Sequence, residues 1–390
     1  MAFLLKRIIT KLDWIILLLL LVFMFICIFC IYSATLTDPD LANSPVKMIV
    51  YYIAGFIVLF AMLFVNYRVI LKFSTSYYLI GLGLLVLLYF KGSTINNAQG
   101  WFKLGPISLQ PAELCKLILI LFLAYYLSNR KSPEAPLNFL KDVIPMGVIT
   151  FIPFVLVLMQ PDLGNSIGYL VIFIVICWFG NIRLKHALIG LGIVIVLCGS
   201  SLYSYVKYHE NVQAYMVSKN KAYWLDRIDA VLLPEEASEK ATYHMKQSVR
   251  AIGSGALQGD GYLHGGSVQG GQVPYTYADS IFVVIGEEFG FMGSSALIIL
   301  YFLLIYKMIT TALMINNKAG IYIIGGIAAM FLFQVFENIG MLIGLMPITG
   351  ITLPFISYGG TSLLINMLSV GFVLNIRIYD DVEIDDILVG

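Results

Sequence analysis

Charge is scarce in this chain. Asp, Glu, Lys and Arg make up 12% of its 390 residues while 59% are hydrophobic, whereas a soluble domain is about 25% charged. The chain is therefore not a soluble globular domain. It also lacks an excess of either sign, since 24 Lys and Arg face 23 Asp and Glu for a net +1. No basic field exists to draw nucleic acid, which is excluded as a partner. Cysteine and histidine are few. Cys27, Cys30, Cys115, Cys177 and Cys198 lie in or beside apolar runs, an odd number that suggests no disulfide framework. Even the Cys27–Cys30 pair is flanked by Phe and Ile, and burial as small apolar side chains is expected. His186, His209, His244 and His264 are scattered, so no His/Cys metal constellation is legible, and no organic cofactor is expected.

What the chain has instead is long apolar runs, at 14–32, 49–65, 77–90, 114–127, 143–159, 167–179, 187–205, 281–305, 320–336 and 363–374. The first exceeds the 7–15 residues of a signal-peptide core and reads as a retained anchor. At about 20 residues per crossing, the pattern predicts an all-α integral membrane protein of ten transmembrane helices, a single polytopic domain over 1–390. With the N-terminus inside, the cytoplasmic segments hold 13 Lys and Arg and the four short outer loops hold 4. This gives an N-in, C-in orientation by the positive-inside rule. The remaining 7 lie in a large extracytoplasmic loop at 206–278, between spans 7 and 8, and long segments are exempt from that rule.

Gly, Pro, Asn and Gln concentrate in the outer segments, so function is expected to face outward. The loop 206–278 carries 7 acidic and 7 basic residues and reads first as a solvated cap; its stretch 253–271 has 8 glycines, too many for a regular helix and enough to bring backbone close to a ligand. The acidic stretch 380–386 reads as a solvated cytoplasmic tail.

Ionisable groups at membrane depth are costly and mark candidate sites. Asp279 opens the eighth span, where a carboxylate acts as a helix cap or as a reactive group. Glu287 and Glu288 follow in the same span. At 1.5 Å and 100° per residue, Glu287 stands about 12 Å deeper than Asp279 and about 80° round, and Glu288 about 180° round, so both read as structural supports that bond neighbouring helices. Glu113 and Lys116, at i, i+3, are spaced to pair. Asp162 lies at an outer turn, as a cap for the sixth span or as the lining of a polar pocket. Glu337 and Asn338, near the end of the ninth span, should face protein or a watery cavity. Trp101 beside Phe102 and Lys103 suits the membrane interface.

Several stretches together resemble the SEDS family of bacterial cell-envelope proteins, which includes RodA, FtsW and SpoVE. They are Gly100-Trp101-Phe102-Lys103-Leu104-Gly105-Pro106 with Gln110-Pro111-Ala112-Glu113-Leu114-Cys115-Lys116, Gln160-Pro161-Asp162-Leu163-Gly164, and Gln247-Ser248 with Ala251-Ile252-Gly253-Ser254-Gly255. Two more are Ile285-Gly286-Glu287-Glu288-Phe289-Gly290-Phe291 and the most specific, Pro347 to Gly360, which runs through Pro354-Phe355-Ile356-Ser357-Tyr358-Gly359-Gly360. Asn338-Ile339-Gly340-Met341 is closer in pattern to the RodA-like branch. The resemblance implies a peptidoglycan glycosyltransferase that polymerises lipid II on the outer leaflet of the bacterial cytoplasmic membrane, in elongation or a related process, with a class B penicillin-binding protein as partner. It places the essential acid at Asp279 and an important tryptophan at Trp101, with Glu113, Lys116 and Glu288 at further motif positions and Pro347 and Gly359 as structural ones. The pattern departs at Tyr275, Ala278 and Ser280, where the family usually has Glu, Thr and Phe, and at Gly100, where Arg or a similar residue is common.

In that chemistry Asp279 would take the proton of the acceptor 4-hydroxyl. Lys103, Lys116, Arg250, Asp162, backbone N–H groups of the Gly-rich stretch, or a divalent Mg or Mn ion would meet the substrate and its leaving pyrophosphate. Two rivals predict different things. A lipid II flippase needs its polar groups to reach the midplane and inner side. A non-catalytic scaffold for the penicillin-binding protein predicts binding without turnover.

Overall fold

The computed structural model describes residues 2–95, 98–104, 107–132, 135–218, 225, 228–230, 232–233, 237 and 239–380. The chain enters through α1 (Ala2–Lys11), whose basic residues sit at one end of the bundle, then crosses as α2 (Trp14–Thr35), α3 (Ser44–Met62) and, after the short α4 (Tyr67–Lys72), α5 (Ser74–Lys91). α6 (Pro111–Ser128), α7 (Ile144–Leu158), α8 (Leu163–Phe179) and α9 (Leu184–Lys207) follow. The bundle closes with α13 (Ile281–Met314), α14 (Lys318–Leu342) and α15 (Gly360–Tyr379). Every expected span is helical. Among the described residues nine helices are long and apolar enough to cross a membrane; the tenth, α8, has 17 residues, or about 25 Å.

Depth in the bundle follows composition. α14 carries Gly325 and Gly326 where methyl groups would meet the Phe179 ring and Ile120 at 2.7 and 2.8 Å, and, like α15, it is mostly buried, whereas α9 has no buried residue. α14 is thus the central helix, packed by α6, α8 and α13, and α15 packs on α3. α9 stands apart from the core. Cys27, Cys30, Cys115 and Cys177 are buried and free, and Cys198 is exposed on α9.

Both chain ends meet on one side, as an even number of crossings requires. Arg7 Nε donates to the carbonyl of Ile378 at 2.8 Å. Asp13, the N-cap of α2, binds Arg377 and Lys307 at 2.5 and 3.1 Å. The Asp380 carboxylate accepts the N–H groups of Asn316 and Asn317; the rest of the acidic tail lies outside the described residues.

The outer segments are more structured than a loop reading suggests. Between α5 and α6 lie three short antiparallel strands, β1 (Ser93–Ile95), β2 (Ala98–Leu104) and β3 (Ile107–Leu109), with Ser93 opposite Trp101 and Phe102 opposite Leu109. Among the described residues the fold is otherwise all-α. The expected loop 206–278 contains α10 (His209–Ser218), α11 (Glu239–Ser254) and a single turn, α12 (Gly266–Gln269). α11 lies against α13.

The stretch that follows α11 is seated on a break in α13. Gly290 takes φ 62° and ψ −157° inside that 34-residue helix, and a methyl there would fall 2.4 Å from the N of Gly259. The freed main chain is satisfied across the gap, where the N–H groups of Asp260 and Gly261 donate to Glu287 O and Glu288 O at 2.9 and 3.0 Å. Gly259, with φ 80°, would place a methyl 2.2 Å from Glu288 O. Gly259→Ala is expected to cost about 2 kcal/mol or more, from combined backbone strain and overlap. Gly253→Ala, on α11 with open space around it, should be neutral or stabilising by about 0.5–1 kcal/mol. Thermal unfolding of the two purified variants checks the contrast.

Candidate active site

The segment 343–359 leaves α14 at its outer end and dips back into the bundle before α15. Phe355, in a left-handed conformation with φ 65°, reaches the rings of Phe23 and Phe331 at 5.6 and 5.3 Å, both near the middles of their helices. Irregular backbone at that depth persists only when protein satisfies it. The hydroxyls of Tyr52 and Tyr301 do so, donating to Phe355 O and Pro354 O, and Ser357 Oγ accepts from Leu353 N at 2.8 Å. Pro347 lies at the start of this re-entrant segment, and Gly359 at its end precedes α15.

Asp279 sits over that segment. It is the penultimate residue of a turn-rich stretch before α13, half-buried, and its Oδ2 would be 3.4 Å from a methyl on Gly350. Asp279 does not cap the helix: Ser280 holds the N-cap position, with no side-chain cap bond. Asn338, one turn from the outer end of α14, donates from Nδ2 to Asp279 O and to Ile351 O, each at 2.7 Å. Tyr358 N donates to Tyr277 O at 2.9 Å. His244 Nε2 lies 2.8 Å from Ser280 Oγ. Burial pushes the His244 imidazole down to about 4, so the ring is uncharged at neutral pH.

A second polar cluster lies next to the first. Lys116, fully buried, binds Glu113 at 3.1 Å and Asn165 Oδ1 at 2.7 Å. Asp162 caps α8 by accepting from Asn165 N at 3.1 Å, and takes further hydrogen bonds from Asn165 Nδ2 and Gln110 Nε2. It therefore both caps the helix and lines the cluster. Gln334 Nε2 donates to Glu113 Oε2 at 3.2 Å. Gln334 and Asn338 are i, i+4 on α14, so one helix face carries both clusters. Gly164, at the start of α8, packs directly on Ile351 and Thr349.

The Glu pair diverges as helix geometry requires. Glu287 accepts the N–H groups of Ser267 and Val268 at 2.7 and 2.9 Å, at the start of α12. Glu288 accepts from Ser33 Oγ on α2, and Gln269 Nε2 donates to the same Ser33 hydroxyl at 3.0 Å. Both acids hold the Gly-rich stretch, away from Asp279.

The remaining candidates spread around the outer face. Trp101, half-buried in β2, accepts Ser93 Oγ at its carbonyl, 2.9 Å; the strands are tied to α15 by Thr361 Oγ1 donating to Ser108 O. Arg250 is exposed on α11, and the Lys103 side chain lies outside the described residues. Among the described residues no group of three or more His, Cys, Asp or Glu is placed to hold a metal ion. Chemically, the outer face offers a half-buried carboxylate on a turn held by Asn338, Tyr358 and His244, beside a closed ion-pair cluster. Residues that sequence reading overlooked are His244, Ser280, Gln334 and Ser33. Their partners are 36 to 255 positions away, so spacing carries no signal for them.

Lys116→Met should be strongly destabilising, by about 3–5 kcal/mol, because it leaves a buried carboxylate unpaired. Glu113→Gln combined with Lys116→Met should regain most of the loss. Thermal unfolding of the single and double variants tests this.

Residues 10–381 match the model of the Cell cycle protein family that groups FtsW, RodA and SpoVE. The chain is 32% identical to the peptidoglycan glycosyltransferase MrdB of Escherichia coli K12, over 94% of each chain. It aligns with TM-score 0.77 and 28% identity to a chain of a solved peptidoglycan synthase complex that coordinates polymerization and crosslinking, covering 95% of this chain and 99% of that one. Against the rod shape determining protein RodA of Thermus thermophilus the TM-score is 0.69 at 27% identity, covering 95% and 98%. With the sequence motifs, the membrane bundle and all three comparisons in agreement, the chain belongs to the FtsW/RodA/SpoVE family of cell cycle proteins.

Proposed function

We propose that this chain is a peptidoglycan glycosyltransferase of the bacterial cytoplasmic membrane, polymerising lipid II on the outer face in cell-wall elongation or a related morphogenetic process. The observation that carries the reading is the position of Asp279, a half-buried carboxylate held over the re-entrant segment at the outer ends of α13 and α14. Relatives named as peptidoglycan glycosyltransferases support it.

In the proposed step Asp279 accepts the proton of the acceptor sugar's 4-hydroxyl as that oxygen bonds to the donor's anomeric carbon. The bond to the polyprenyl pyrophosphate breaks, and the leaving group departs with its electron pair and inversion at carbon. The low-dielectric surroundings strengthen every interaction with the developing charge. Arg250, exposed on α11, is the cation we assign to the pyrophosphate, with Lys103 beside Trp101 as a second. Glu113 and Lys116 are occupied with each other, and Asp162 with Asn165 and Gln110, and we assign all three to shaping the floor beneath the donor rather than to direct contact. Trp101 offers an aromatic face to a sugar or prenyl group.

Among the described residues no group of three or more His, Cys, Asp or Glu is placed to hold a metal ion, and no step is drawn through one. A divalent Mg or Mn carried by the substrate phosphates, with one protein carboxylate, is the arrangement they would allow. The partner we propose is a class B penicillin-binding protein, which crosslinks the strands; the solved complex in which a family relative sits couples polymerization to crosslinking. A flippase reading is disfavoured because the Asp279 and Glu113 clusters lie at the outer ends of their helices, while Asp13 ties α2, α13 and α15 together at the inner end.

Purified protein with and without its penicillin-binding partner, supplied with lipid II and Mg or Mn, gives the test. Wild type is expected to make glycan strands, and Asp279→Asn to lose at least about 100-fold in rate, as removal of a general base does. Equal polymer from both would remove Asp279 from the mechanism. Absence of polymer from folded, partner-bound wild type would favour the scaffold reading.

A further inference from the structure

The turn that carries Asp279 is closed by the N–H groups of Ala278 and Ser280, which donate to Tyr275 O at 2.9 and 3.2 Å. Tyr275 itself takes a left-handed φ of 57°. Asn338 and Tyr358 hold this turn through main-chain carbonyls, those of Asp279 and Tyr277. His244 holds it through side chains. Its Nε2 is 2.8 Å from Ser280 Oγ and its ring centroid is 6.5 Å from that of Tyr275, so one imidazole meets both ends of the turn.

Ser280 is unusual for its place. A serine at an N-cap ordinarily bonds a backbone N–H of the first helical turn, yet this one makes no such bond. Its side chain is fully buried, with the hydroxyl engaged by the ring on α11 instead. The helix that carries the ring is fixed in place, because α11 packs along α13. Being uncharged at neutral pH, the ring orients the turn without placing a positive charge beside the carboxylate.

We propose that His244 is a positioning residue for Asp279: hydrogen-bonded to Ser280, it fixes the rotation of the 275–280 turn and so the direction from which the Asp279 carboxylate meets the acceptor hydroxyl. This rests on the reading of Asp279 as the base. His244 touches no reacting atom and gives or takes no proton in the step. The link is short, since Ser280 follows Asp279 directly and both precede the first residue of α13.

The test measures initial polymerisation rates of the full chain with its penicillin-binding partner across lipid II concentrations. His244→Ala and Ser280→Ala should each lower kcat about 10- to 100-fold, the scale of a misplaced catalytic group, with KM within about twofold of wild type. The double variant should be no slower than the slower single, because both break one bond. His244→Gln, an uncharged side chain able to bond the same hydroxyl, should restore most of kcat. The proposal is overturned by a wild-type rate in Ser280→Ala, or by losses that multiply in the double variant. It also fails if kcat and KM deteriorate together with the thermal midpoint and Gln does not repair them. Asp279→Asn in the same assay separates the two readings. If that variant is inactive while His244→Ala runs at the wild-type rate, this inference alone fails; if Asp279→Asn keeps full rate, the base assignment fails first.

Discussion

Asn338 spends one buried amide on two carbonyls, those of Asp279 and Ile351, at 2.7 Å each. The Ile351 carbonyl, buried in the bundle, has no water to turn to, and leaving its bond unmade would cost about 1–3 kcal/mol. The fork therefore decides how two non-helical pieces of chain meet: the turn ahead of α13 and the re-entrant segment ahead of α15. With that joint made, Gly350 lies beneath the Asp279 carboxylate, and Phe355 can descend to the mid-bundle rings because Tyr52 and Tyr301 satisfy the backbone there. The position of the acid follows from backbone desolvation, before any charge is considered.

Two charged groups then tie the helices that carry the site. At the inner end Asp13 holds Arg377 and Lys307, locking α2, α13 and α15 at the side where the termini meet. At the outer end Lys116 neutralises Glu113 and reaches Asp162 through Asn165. A buried pair of this kind adds little net stability but penalises any arrangement that separates it. Its effect is to fix the register of α6 against α8 and α14, the helices on which the re-entrant segment rests. Asp279 stands over the re-entrant segment that these helices support, its Oδ2 facing Gly350.

Much of this was legible in the sequence. The ten apolar runs fall on ten helices, because hydropathy alone fixes where a backbone can be desolvated. The i, i+3 spacing of Glu113 and Lys116 anticipated their ion pair, and the Pro161-Asp162 turn anticipated the cap on α8. Helix geometry also separated Glu287 from Glu288, which indeed leave α13 in different directions. Four features were hidden. The strands around Trp101 are too short and mixed to show alternation. The 343–359 segment reads as an outer loop, since its descent depends on tyrosines from α3 and α13 rather than on its own residues. The Glu287 contact with Ser267 and Val268, and the His244 contact with Ser280, join positions whose spacing has no helical or strand period. Gly290, at which α13 breaks, looked like one glycine among many until the main chain of Gly259 was seen lying against it.

A single structure would test the central claim, that Asp279 serves the acceptor at the outer face: electron cryomicroscopy of Asp279→Asn, bound to its penicillin-binding partner and two molecules of lipid II. The account predicts the acceptor 4-hydroxyl about 3 Å from the side chain of residue 279, with the donor pyrophosphate toward Arg250. An acceptor hydroxyl seated elsewhere, beside the Glu113 cluster or toward the inner end of the bundle, would contradict it.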